Sequence, residues 1–114
     1  MNLKQKIADH KCVVGSWLNT ASPITAELMA SIGFDFLTVD LEHCAIDLAV
    51  VQSLFQAMKA GNPTCIPLVR LPGHTYAETK RFMDAGAGGV IAPLINLPEQ
   101  AEEIVQAVKY PPRG

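Results

Sequence analysis

The chain has 114 residues and 12.3 kDa, with 49% hydrophobic, 18% charged and 6% aromatic residues, which suits one globular domain and argues against a disordered chain. Eleven acidic against nine Lys and Arg residues leave a formal charge of -2. With no basic stretch interleaved with aromatics, nucleic acid is excluded as an expected partner. No apolar run approaches the ~18 residues that span a bilayer, and the polar N-terminus lacks a secretory apolar core. Cys12, Cys44 and Cys65 form no CxxC pair, and their odd count fits a reducing compartment better than a disulfide framework. A cytoplasmic protein is expected. His10, His43 and His74 are scattered, so no zinc site of ordinary spacing can be written.

In chain order, a short polar helix over residues 2–9 precedes a β-like run over 12–17. Ser22 then Pro23 reads as an N-cap with proline at the first helical position. The helix over 24–32 places Leu28, Met29 and Ile32 on one face, and Gly33 follows as its C-terminal glycine. Residues 34–41 are rich in β-branched and aromatic side chains and read as a strand. Val51, Leu54, Phe55 and Met58 mark a helix over about 47–60, with Gly61 as its stop. A third strand over 64–70 contains Pro67, which suggests a bulge. A weaker helix over 75–85 ends at Gly86, and 88–94 is a short buried strand. The last helix, 98–110, carries Ala101, Ile104, Val105 and Val108 as one stripe before a Tyr-Pro-Pro-Arg-Gly run.

Four successive βα units imply a parallel sheet with right-handed crossovers. Either a small doubly wound sheet or half of an eight-stranded βα barrel satisfies that order. In both, ligands bind at the carboxyl ends of the strands. Those ends collect Ser16, Trp17 and Asn19, then Asp40, Glu42 and His43, then Arg70, and finally Pro93 and Asn96.

Asp40 and His43 are candidates for a base unit, since a carboxylate can orient an imidazole and stabilise its protonated form. Alternatively His43 simply caps the turn. Glu42 is read as support for the pair. Arg70 offers a fork for a carboxylate or enolate oxygen, or else pairs structurally with Asp40 or Glu42. Trp17 either walls the pocket or packs. His10 and His74 are expected in solvent and Asp84 on the surface. The Gly-rich segment 85–89 lacks the Lys-Ser/Thr of a P-loop and precedes a strand, so no nucleotide site is expected.

Taken in order, Gly15-Ser16-Trp17, Ser22-Pro23 with Glu27, Gly33-Phe34-Asp35, Val39-Asp40-Leu41-Glu42-His43, Val69-Arg70, Phe82-Met83-Asp84-Ala85-Gly86 and Ala107-Val108-Lys109-Tyr110-Pro111-Pro112 resemble the HpcH/HpaI family of metal-dependent 2-oxo-acid aldolases. The citryl- and malyl-CoA lyase group looks similar near the second strand but usually carries an acid where His43 stands. The resemblance implies α/β architecture of four consecutive βα units, the first half of a (β/α)8 TIM barrel. Residues 1–114 would be part of a domain of roughly 250 residues.

The resemblance further implies cleavage or formation of 4-hydroxy-2-oxo acids through a pyruvate enolate. A divalent ion (Mg2+, Mn2+ or Co2+) acts there as Lewis acid. Its protein ligands are expected outside this chain, with none assigned within it. By position, His43 is the base with Asp40 as orienting partner. Arg70 holds the oxo-acid end, and Glu42, Trp17 and Ser22 line the mouth. The implied partners are a small 2-oxo acid and an aldehyde, with no nucleic acid or membrane, in a complete protein that forms a homo-oligomer. The chain alone is expected to be inactive. Two other readings are a non-catalytic, self-associating half-barrel or binding module, and a lyase or synthase for another 2-oxo acid.

Overall fold

The computed structural model describes residues 2–113. Met1 and Gly114, the last residue of the Tyr-Pro-Pro-Arg-Gly run, lie outside the described residues. The elements follow in the order α1 (Leu3–Ala8), β1 (Gly15–Leu18), α2 (Pro23–Ser31), β2 (Phe36–Asp40), α3 (Leu48–Gly61), β3 (Ile66–Arg70), α4 (Tyr76–Asp84), β4 (Gly89–Ile91) and α5 (Pro98–Ala107). Every strand pairing is parallel and the sheet runs β1-β2-β3-β4 without a change of direction. A doubly wound sheet reverses its strand order at a switch point, and this one does not. Consecutive order with right-handed crossovers puts the helices on one face, which is the βα-barrel arrangement.

Helix starts obey local chemistry. The Ser22 hydroxyl accepts from the Thr25 N–H at 3.3 Å and the Asp47 carboxylate from the Val50 N–H at 2.9 Å. Leu97, at the N-cap of α5, offers no oxygen; instead Gln100 Oε1 accepts from the backbone N–H of Asn96 and Leu97 at 2.8 and 3.0 Å. The helix-facing side of the sheet, with Leu18, Leu37, Val39 and Val69, is fully buried against a core that includes Val51, Leu54, Phe55 and Met58 of α3. α1 is tied to the sheet by Lys6, which pairs with Asp35; the Asp35 carboxylate also accepts from the Val14 N–H at 2.8 Å.

Several boundaries and faces differ from expectation. β1 begins at Gly15, three residues later than expected, and β4 ends at Ile91. Leu94 takes a positive φ of 57°, which no strand continues through. α5 stops at Ala107 short of the expected residue 110. Pro67 makes no bulge, sitting second in β3 in register with Leu37. Gly61 is not a stop but the last residue of α3, and Asn62 is the C-cap. A Cβ on Gly61 would lie 2.2 Å from the Glu27 carbonyl oxygen, so glycine there lets α3 approach the backbone of α2. The face of α2 that meets the core is accordingly the small one, Ala26 and Ala30, both fully buried, while Leu28 and Ile32 point outward.

Candidate functional site

Alternation along each strand sends Thr38 and Asp40 to the face opposite the helix core. In register, Trp17 stands beside Thr38 and Leu68, and Asp40 beside Arg70, which in turn neighbours Ile91. Asp40 and Arg70 are the last residues of β2 and β3, so the pairing of the strands brings their side chains together at the carboxyl end of the sheet.

The contact is a two-pronged ion pair. Arg70 Nε donates to Asp40 Oδ1 at 3.0 Å and Nη2 to Oδ2 at 2.6 Å. Asp40 is almost fully buried, and Oδ1 also accepts from the backbone N–H of Glu42 and His43 at 3.0 and 3.3 Å. The Arg70 guanidinium is the main reason the Asp40 carboxyl is held down at about 2; burial works against it, and the two backbone donors reinforce it. Arg70 is pushed up by the same hydrogen bonds. The Trp17 ring lies against the guanidinium, 4.6 Å from its centroid to Arg70 Cζ, a cation–π contact that fixes the plane of the fork.

His43 is reached differently from what spacing suggested. Its Nε2 lies 3.1 Å from Glu42 Oε1, and Glu42 Oε2 lies 3.8 Å from Arg70 Nε. Asp40 meets His43 through the backbone N–H, so the carboxylate beside the imidazole is that of Glu42. The His43 side chain stays 67% exposed, which leaves the ring free to meet a ligand. Asp40, Glu42, His43, Arg70 and Trp17 therefore form one connected group. Ser22 is occupied as the N-cap of α2, with its hydroxyl turned to the Thr25 N–H.

Two residues near this group had not been singled out. Cys44 Sγ lies 3.9 Å from Asp40 Oδ2. The Thr38 hydroxyl is fully buried with no hydrogen-bond partner among the described residues. Its position two residues before Asp40 on the same strand was the available signal. Asp84 is exposed as expected, whereas His74 is half-buried with its Nδ1 enclosed. Among the described residues no three His, Cys, Asp or Glu side chains converge as a metal-ligand set. The two carboxylates at the mouth are engaged by Arg70 and His43, so these residues do not by themselves fit a divalent ion. No described helix is long and apolar enough to cross a membrane.

A run of parallel βα units in consecutive strand order, with its polar residues at the strand carboxyl ends, is the arrangement of a βα barrel. The model of the HpcH/HpaI aldolase/citrate lyase family matches residues 14–114, and the chain belongs to that family. It is 38% identical to a hydroxypyruvate/pyruvate aldolase of Deinococcus radiodurans, over 97% of this chain and 39% of the relative. It is 35% identical to a 4-hydroxy-2-oxovalerate aldolase of Novosphingobium aromaticivorans, over 99% of this chain and 43% of the relative. The crystal structure of an HpcH/HpaI aldolase from Desulfitobacterium hafniense superposes with a TM-score of 0.85 at 36% identity, covering 100% of this chain and 44% of that one. The chain spans about two-fifths of the length of the curated relatives it matches.

Proposed function

We propose that the chain supplies the base and anion-binding side of a carbon–carbon lyase that cleaves or forms 4-hydroxy-2-oxo acids through a pyruvate enolate. The observation that carries this reading is the joined group of His43, Glu42, Asp40 and Arg70 at the carboxyl ends of two adjacent strands. Asp40 occupies Nε and Nη2 of Arg70, which orients the remaining Nη1 donors toward an oxo-acid oxygen. In the cleavage direction, His43 takes the proton of the 4-hydroxyl as the C3–C4 bond breaks. The aldehyde departs, and the bonding pair passes into the enolate of pyruvate, whose negative charge faces Arg70. A proton returned to C3 completes pyruvate. Glu42 Oε1, 3.1 Å from His43 Nε2, orients the imidazole.

The family resemblance also implies a divalent ion, which supplies Lewis acidity when bound. Its donors belong with further βα units of the barrel, and no step here is routed through it. The experiment follows the methyl signal of pyruvate by proton NMR in heavy water with Mg2+, comparing this chain with a longer chain that continues it. Exchange is expected from the longer chain only, and His43→Ala in that chain should slow it by about 10²–10⁴-fold. Exchange that survives His43→Ala unchanged would overturn the base assignment. Exchange by the 114-residue chain alone would overturn its incompleteness.

A further inference from the structure

Asp40 holds Arg70 by one edge only. Its carboxylate takes Nε and Nη2, at 3.0 and 2.6 Å, and leaves Nη1 as the far corner of the guanidinium. Two bonds along one edge of a planar group act as a hinge, about which the plane can tilt. Tilting displaces the far corner most, and that corner carries the free donors. Glu42 Oε2, 3.8 Å from Nε, lies at the hinged edge as well. The Thr38 hydroxyl, fully buried on the intervening strand, has no hydrogen-bond partner among the described residues and so does not hold the guanidinium either.

The cation is met from another strand. Trp17 lies on β1 and Arg70 on β3, so their contact passes over β2. In register Trp17 stands beside Thr38, and Arg70 beside Asp40 two residues further on. The two side chains therefore converge diagonally across two strand spacings, roughly 10 Å between backbones, which only long side chains close. They do close it, with the ring centroid 4.6 Å from Arg70 Cζ. A π-face held against the cation opposes the tilt that the edge bonds permit. We propose that Trp17 is a positioning residue that acts through Arg70, setting the tilt of the guanidinium and so aiming Nη1 at the oxygens of the 2-oxo acid. This departs from the role the family resemblance gives Trp17, a wall of the mouth in direct contact with substrate. It rests on the lyase reading only in that Arg70 receives the oxo acid.

A double-mutant cycle on pyruvate binding separates the two roles. Dissociation constants are read by NMR saturation transfer in the longer chain, with Mg2+ present, alongside the methyl exchange. Trp17→Leu should weaken pyruvate binding by about tenfold where Arg70 is intact. In the Arg70→Lys background, where no planar fork remains to be aimed, it should do so by less than about twofold. Trp17→Phe, which keeps an aromatic face, should bind within about threefold of the unsubstituted chain. Should Trp17→Leu not fold, Trp17→Met enters the same cycle. Equal losses in both backgrounds would overturn the proposal and leave Trp17 as a wall of the pocket, and so would undiminished binding by Trp17→Leu. Coupled losses in binding without methyl exchange by the unsubstituted chain would uphold the positioning role and overturn the lyase reading; exchange with equal losses would do the reverse. No pyruvate binding by the unsubstituted chain overturns both.

Discussion

Asp40 shows how one side chain can hold several parts of a site together. Its carboxylate receives two donors from Arg70 and two from the backbone of the following loop, so it fixes the guanidinium and the turn bearing His43 at once. The electrostatic consequence has a definite sign. A carboxyl held at about 2 in the fold, against the ordinary 3.8, stabilises the native state once ionised in the unfolded chain, at and above about pH 4. That contribution fades as pH falls through about 2. Asp40→Asn should therefore lower stability at pH 7 by about 1–3 kcal/mol, the worth of a charged hydrogen-bonded partner. It should also flatten the decline between pH 4 and 2, which urea unfolding at a series of pH values measures. An unchanged acid slope would show that Asp40 is not the group that titrates with folding. The position of Asp40, His43 and Arg70 at strand ends was legible in the sequence, because strand boundaries set it. Which carboxylate meets the imidazole was not, since that depends on the lateral register that sets Asp40 beside Arg70 and leaves Glu42 to His43.

Among the elements, the contact between α2 and α3 is the one whose chemistry is least visible in a linear reading. Glycine in a helix interior or last turn ordinarily costs about 1 kcal/mol relative to alanine, so Gly61→Ala would be expected to stabilise an isolated helix. Here the added methyl would meet the Glu27 carbonyl oxygen at 2.2 Å, with Ala26 and Ala30 already packed without space. The steric penalty wins, and Gly61→Ala should destabilise the fold by about 1–3 kcal/mol, read as a lower urea midpoint. A raised midpoint would mean that the two helices separate at little cost. The existence and order of the elements were readable because caps such as Ser22 and Asp47 and the α3 stripe act within a few residues of chain. The faces of α2 and α5 were not. An apolar stripe on an outer helix has the same spacing whether it meets the core or a neighbouring unit, and in α2 the core took the alanines.

At the level of the whole molecule, burial is unevenly shared along the chain. α3 buries Val51, Leu54, Phe55 and Met58 and β2 is buried from Leu37 to Asp40, whereas α5 buries Ala107 alone and β4 has three residues, none of them buried. Local opening follows the apolar contacts that must be broken, so the β4–α5 end should open well before β2 and α3 do. Amide hydrogen exchange, resolved by peptide, should show α5 exchanging at least about tenfold faster than α3 at low protein concentration. If α3 and α5 exchanged alike, the chain would unfold as one cooperative unit, and its β4–α5 end would be no weaker than its centre.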